Sequence, residues 1–391
     1  MASTTTLPHD RSDRGATGAA PADRADPGGR PGKRRDALLD NAKFLLIVLV
    51  VVGHTIEPLT DTRLGNAVYY WIYLFHMPAF VLISGYLSKS FDGSPRRIDK
   101  LLTTIAAPYV IFWGVYALVS LAVGRNLPDG PLDPLWLTWF LAALFVWRLT
   151  VPVWQRLRWP LAVAVGVSLL GGLVGTGEVL SVSRIMSLLP FFVAGLLLEP
   201  HHFAFLRQTW VRVWAAITMV ATAVVSYVYL EQLSREWVYW RESLADRDMD
   251  LLPVGIPGRL LFLVLAFALT AAVLSLTPGR TTHFTRLGAL TMYVYLLHGL
   301  FVRGADALGY YDAVAGLLGD HGALALTGAL SVGLAYLLCT PWVRRATSWA
   351  VEPRVDRLLR RDRGPSGGAG GAAGAADTRA AAPAASGAGT R

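Results

Sequence analysis

Six stretches of this chain, 64–88, 101–124, 159–177, 213–230, 260–279 and 321–343, contain no Asp, Glu, Lys or Arg. A helix needs about 20 consecutive, mostly apolar residues to cross the hydrocarbon of a bilayer. Each of these stretches is close to or beyond that length, so the chain cannot fold around a water-excluding core of ordinary soluble type. Four further apolar runs, 44–56, 134–147, 185–198 and 287–302, are shorter between charges. They reach spanning length only where a flanking charge snorkels to the interface or faces the protein interior. The pattern predicts an all-α polytopic membrane protein of about ten transmembrane helices, placed in the cell membrane and in contact with its lipids.

Charge distribution gives an independent reading. The net charge of +9 invites a nucleic-acid partner, but its placement speaks for a membrane instead. With the N-terminus inside and ten crossings, the inner segments carry 28 Lys and Arg against 13 acids, and the outer ones 8 against 14. That is the positive-inside pattern, and a miscount by one span would invert every later loop. Both termini are therefore expected in the cytoplasm, and no nucleic-acid partner is expected. Only 16% of residues are charged, against roughly 25% in soluble domains. The 13 Trp, 14 Tyr and 15 Phe supply interfacial belts. A single cysteine, Cys339, excludes an intramolecular disulfide and a cysteine metal cluster.

Residues 1–36 have the composition of a disordered tail and lack the apolar run of a secretory signal. Residues 364–391, nearly all Gly, Ala, Ser and Pro, form a second flexible tail. Between them lies one domain, 37–361, whose ten helices occupy about 38–343 before a basic juxtamembrane segment. The longest outer loop, about 231–258, combines Trp237, Tyr239 and Trp240 with six acids. It suits either an interfacial amphipathic segment or a solvated loop.

Ionisable side chains within such runs are costly and therefore mark function. His54, His76 and His298 fall in the first, second and ninth expected spans, at comparable depth near the bilayer midplane. His54 lies eleven residues beyond Lys43, about 16 Å along a helix axis. A transmembrane histidine on its own is often only a hydrogen-bonding link between helices; three at one level point to a shared polar pocket. No transmembrane carboxylate or thiol pattern accompanies them, and no metal is expected. Lys43 lies too deep for simple anchoring. With Arg96, Arg97 and Lys100 in the first inner loop, it suits a phosphate-bearing ligand arriving from the cytoplasm.

Several short motifs then fall in a recognisable order. Asp40-Asn41-Ala42-Lys43 leads through an apolar run to Gly53-His54, a basic residue, ten residues and a histidine. Phe75-His76-Met77-Pro78 leads to Ser84-Gly85-Tyr86; Trp139-Phe140-Leu141, Pro190-Phe191-Phe192 with Gly195, and Tyr295-Leu296-Leu297-His298 follow. Together they resemble the acyltransferase-3 family of membrane O-acyltransferases, in the branch similar to fucose 4-O-acetylases, over roughly 36–343. Many members carry Arg where this chain has Lys43. The family's basic pair, usually two Arg three apart, is matched by Arg97 and Lys100; the Lys keeps the charge and loses bidentate geometry.

The resemblance implies a ten-helix enzyme that uses cytoplasmic acyl-CoA, commonly acetyl-CoA, to esterify a carbohydrate hydroxyl on a cell-surface glycan, lipid-linked sugar or glycoside. In such a reaction His54 is expected to be the general base, with His76 and His298 positioning it or relaying the proton. Lys43, Arg97 and Lys100 are expected to hold the CoA phosphates or orient the thioester. A covalent acyl-histidine is a second route. The rival function is a glycan or lipid transporter with the histidines as a proton relay; a membrane scaffold is a third reading and leaves the three histidines unexplained.

Overall fold

The computed structural model describes residues 36–173, 181–229, 235–240 and 255–354. Among the described residues every regular element is helical. The tails expected over 1–36 and 364–391, apart from Asp36, and most of the loop 231–258 lie outside them.

Helix α1 (Ala37–Ile56) starts where Asp36 accepts a hydrogen bond from the Leu38 amide at 2.9 Å, capping the free end of the backbone. A single 3₁₀ turn (Glu57–Leu59) closes it. Helix α2 (Arg63–Tyr73) is capped by Thr62 through the Gly65 amide. The chain breaks at Leu74 and Phe75 and resumes as α3 (His76–Ser88). This break puts Pro78 in a first helical turn, where its missing N–H leaves no carbonyl unpaired. Helix α4 (Pro95–Leu101) passes through a π-helical turn (Leu102–Ala106) into α5 (Ala107–Ala122). The widened turn makes room for Pro108, whose ring would otherwise meet the carbonyl four residues back.

There follow α6 (Trp139–Trp154), α7 (Pro160–Leu173) and α8 (Val182–Leu197), which bends by 103° into α9 (Pro200–Leu206). Helices α10 (Thr209–Tyr229), α11 (Arg235–Tyr239), α12 (Ile256–Leu276), α13 (Thr291–Ala307), α14 (Tyr310–Leu338) and α15 (Pro341–Val351) complete the described chain.

Among the described residues seven continuous helical stretches are long and apolar enough to cross a membrane, or eight if the bent α8–α9 pair is one span. The chain is a multi-pass membrane protein. The ten expected runs fall on helices, the second divided between α2 and α3, yet not all reach spanning length. Two short runs lengthen: α1 begins at Ala37 and takes Asp40 and Lys43 inside it, and α6 takes in Arg148. By contrast α13 has 17 residues, and α7 ends at Leu173 within the described part.

Helices α1, α3, α8 and α13 form the centre, with Phe44, Ile47, Ala79, Phe192 and Leu296 almost wholly buried. Helices α5, α10 and α14 face outward, with Leu118, Val220 and Leu330 exposed as lipid-facing residues would be. Helices α3 and α8 approach each other closely. A Cβ on Gly85 would run into the Phe192 carbonyl, and one on Gly195 into that of Leu82. Small residues at such a crossing let two backbones touch where the hydrophobic effect supplies no drive for helices to associate. Gly85→Val or Gly195→Val is expected to destabilise the detergent-solubilised protein by about 1–3 kcal/mol or more. Thermal unfolding should show this, whereas Gly328→Ala on α14, with open space around it, should leave the transition unmoved.

Candidate active site

One stripe of α1 organises the site. Lys43, Ile47, Val50 and His54 all line one chamber of ≈ 140 Å³. Steps of four, three and four residues hold these side chains within about 60° of one another around a helix of 3.6 residues per turn. The far wall comes from Phe80, Ile83, Ser84 and Leu87 of α3, from Phe140 and Leu144 of α6, and from Met292 and Tyr295 of α13. The chamber is almost entirely apolar, with an amine at one end and an imidazole at the other.

The mouth is tightly built. Lys43 Nζ lies 2.8 Å from Asp40 Oδ1, and the two side chains are 20% and 11% exposed. Between them Asn41 is fully buried, and its amide donates to the Pro278 and Arg280 carbonyls at 2.7 and 2.9 Å. Its oxygen accepts from the Thr282 and Thr285 hydroxyls at 3.0 and 2.6 Å. Both polar ends of Asn41 are thus used to clamp α1 to the turn that precedes α13.

A second chamber of ≈ 270 Å³ lies beyond His54. It is polar and aromatic, lined by Glu57, Tyr69, Tyr73, Trp136, Arg184 and Tyr239. Tyr73 brings its hydroxyl to 3.2 Å from His54 Nδ1, and Glu57 Oε2 lies 4.0 Å from the same nitrogen. Tyr69 stacks on Tyr73 at 4.1 Å between centroids and shares a short hydrogen bond with Tyr239. Guanidinium groups sit over both indoles, Arg184 over Trp139 at 5.0 Å and Arg303 over Trp136 at 4.3 Å.

The three histidines converge. The His54 and His298 rings are 5.5 Å apart, and the His76 ring packs on Tyr73 at 4.6 Å. His298 Nδ1 lies 2.9 Å from the Val294 carbonyl, which requires the hydrogen on Nδ1. Its Nε2 is then an acceptor, and it has no hydrogen-bond partner among the described residues. His76 Nδ1 is held the same way by the Ile72 carbonyl at 2.9 Å. His76 and His298 are buried, whereas His54 is 17% exposed and lines both chambers.

His54 lies in the last turn of α1, which ends at Ile56, nearer the Glu57 end than the middle. Arg97 and Lys100 are exposed on α4 and line neither chamber; Arg97 donates to the Ser90 hydroxyl at 3.1 Å. They remain at the Lys43 end, since α4 follows α3, whose Leu87 borders the mouth. Sequence reasoning passed over Glu57, Tyr69, Tyr73 and Arg184, which read as outer-loop or belt residues. The clue for Glu57 was its place one turn after His54. Tyr239, from the loop expected to lie on the interface or in solvent, instead walls the polar chamber. Among the described residues no group of three or more His, Cys, Asp or Glu is arranged to hold a metal.

The fold is that of a multi-pass membrane protein, and a family model described as an acyltransferase domain matches residues 36–340. The chain belongs to the acyltransferase-3 family. It is similar to nodulation protein NolL of Mesorhizobium japonicum, 35% identical over 127 residues, which is 29% of this chain and 34% of that protein. It also resembles nodulation protein NolL of Sinorhizobium fredii, 43% identical over 59 residues, 14% of this chain and 16% of the relative. The matched stretches therefore cover about a third or less of these relatives. No solved structure matches the chain.

Gly299 holds the site's roof. A Cβ there would collide with the Tyr116 hydroxyl and with Leu137 and Trp136, so only glycine lets the 136–138 turn lie on α13 beside His298. Gly299→Val should displace that turn and lower acyl transfer by about a hundredfold, measured on protein that still extracts as a monodisperse species.

Proposed function

We propose that this protein is an O-acyltransferase that moves an acyl group, acetyl first of all, from acyl-CoA to a carbohydrate hydroxyl, with His54 as general base. The observation that supports this best is that His54 is shared by two chambers of opposite chemistry. The apolar chamber suits a thin, mostly uncharged arm with an anion at its outer end. Lys43 and His54, about 16 Å apart along α1, are spaced as a pantetheine arm requires, phosphate at the amine and thioester at the imidazole. Arg97 and Lys100, exposed at the same end, would engage the CoA phosphates outside the chamber through charge-assisted hydrogen bonds. The polar chamber offers phenol hydroxyls, a carboxylate and a guanidinium beside flat indole rings, a set suited to a sugar's hydroxyls and its apolar ring face.

The reaction then balances within this site. His54 takes the proton of the sugar hydroxyl as its oxygen attacks the thioester carbonyl. The carbon–sulfur bond breaks, and the departing thiolate recovers that proton from the imidazolium to leave CoA as the thiol. Tyr73 and Glu57, both facing Nδ1, would hold the His54 ring with its other nitrogen free for the hydroxyl. His76, packed on Tyr73, would fix that support, and the bare Nε2 of His298 would relay protons. With thioester and hydroxyl meeting at His54, no acyl-histidine carrier is needed.

The charge asymmetry of the loops supports the Lys43 end in the cytoplasm, with ten crossings and both termini inside. The donor then comes from the cytoplasm and the sugar from the Glu57 face. The catalytic unit is taken as 37–361, between the tails 1–36 and 364–391.

Binding of acetyl-CoA to the purified protein tests the reading. Lys43→Ala should weaken binding about tenfold, equivalent to 1.4 kcal/mol, and Arg97→Ala should weaken it less. His54→Ala should bind as wild type does and transfer nothing. If folded wild type bound neither acetyl-CoA nor longer acyl-CoAs, the glycan or lipid transporter would become the better account.

A further inference from the structure

The two chambers share four residues, His54, Met77, Leu137 and Trp139, which together are the partition between them. Three are fixed. His54 is turned by Tyr73 and Glu57. Leu137 is 3% exposed, and its carbonyl accepts a short hydrogen bond from the Tyr295 hydroxyl. Trp139 lies under the Arg184 guanidinium, 5.0 Å from the ring centroid. Met77 is different. It sits in the first turn of α3, is only partly buried, and has an unbranched side chain with three rotatable bonds.

We propose that Met77 is the gate of this partition and sets the largest acyl group that can reach the acceptor. The inference rests on the acyltransferase reading and adds a specificity residue to it. Met77 stands beside His54 where the two chambers adjoin, and at rest its thioether would separate them. When a donor fills the apolar chamber and a sugar the polar one, the side chain turns aside and the thioester carbonyl meets the hydroxyl at His54. A short acyl group fits past the displaced side chain, while each added methylene competes with Met77 for the same space. Discrimination of this kind is worth about tenfold or more per methylene.

The closed gate also keeps water from the donor. Without it, water takes the place of the sugar hydroxyl: its oxygen attacks the thioester carbonyl and the carbon–sulfur bond breaks. The products are a carboxylate, CoA thiol and one proton. Closing active sites against such side reactions is a general function of sealing elements. An apolar, deformable side chain is suited to the task, because it excludes water without offering it a hydrogen bond.

The test uses the full chain in lipid nanodiscs with acetyl-, butyryl- and hexanoyl-CoA, and reads equilibrium binding and the release of CoA thiol with no sugar added. Wild type should bind acetyl-CoA and release CoA slowly. Met77→Ala should bind acetyl-CoA as wild type does, release CoA at least about tenfold faster, and raise the hexanoyl-to-acetyl ratio by about tenfold. Met77→Phe should lower release below wild type for every donor. Met77→Val, a smaller truncation, replaces Met77→Ala if the latter does not fold. Release that is unchanged in rate and chain-length preference in folded Met77→Ala or Met77→Val would overturn the gate and leave the acyltransferase reading standing. The added release should vanish in His54→Ala/Met77→Ala. If it persists there, hydrolysis does not pass through His54, and both the gate and the assigned base fall.

Discussion

An ammonium group well inside an apolar helix is the constraint on which the rest of this structure depends. Lys43 stands nearly two turns into α1 and is kept there by Asp40, one turn earlier. A charge at that depth is tolerated only when it is paired or faces a cavity, and Lys43 does both. The pair in turn needs α1 held still, and Asn41 provides this by spending all four of its hydrogen bonds on the 278–285 turn. Because that turn leads directly into α13, the clamp also sets where His298 arrives. From Lys43 the helix carries one stripe to His54, and a chamber with an amine at one end and an imidazole at the other follows.

The opposite ends of this stripe differ in chemistry for reasons visible in the chain. Toward Lys43 the walls come from the apolar faces of α3, α6 and α13. Toward Glu57 they come from the ends of helices and from turns, where polar and aromatic residues collect at a membrane interface. Such a gradient would sort the two halves of the proposed transfer reaction by polarity. An imidazole at the boundary, where water is scarce, makes stronger electrostatic contacts than it would in water. Arginines over Trp136 and Trp139 keep cationic groups near that boundary.

Much of the fold was legible in the sequence because hydrocarbon permits few alternatives: each long uncharged run had to be a helix. Lys43, His54, His76 and His298 stood out for the same reason, being costly groups in apolar surroundings. Span lengths were less legible. Helix α1 extends back through Asp40 and Lys43, which end an uncharged run without ending a helix. Glu57 and Arg184 were hidden because outer loops normally carry charge, so neither looked expensive. Tyr69, Tyr73 and Tyr239 were hidden among residues that supply interfacial belts. What exposes them is tertiary: the break at Leu74 and Phe75, set by Pro78, turns Tyr73 toward His54 while His76 packs behind it. Arg97 and Lys100 show the reverse, conspicuous in sequence and peripheral to the chambers.

The central claim is that a donor thioester reaches His54 along the stripe of α1 from the Lys43 end. A cryo-EM map of the full chain with acetyl-CoA bound tests this most directly. The account requires density for the pantetheine arm passing Ile47 and Val50, phosphate beside Lys43, and the acetyl group at His54 on the near side of Met77. Acetyl-CoA density entering past Glu57 and Tyr239, or lodged away from α1 altogether, would contradict it.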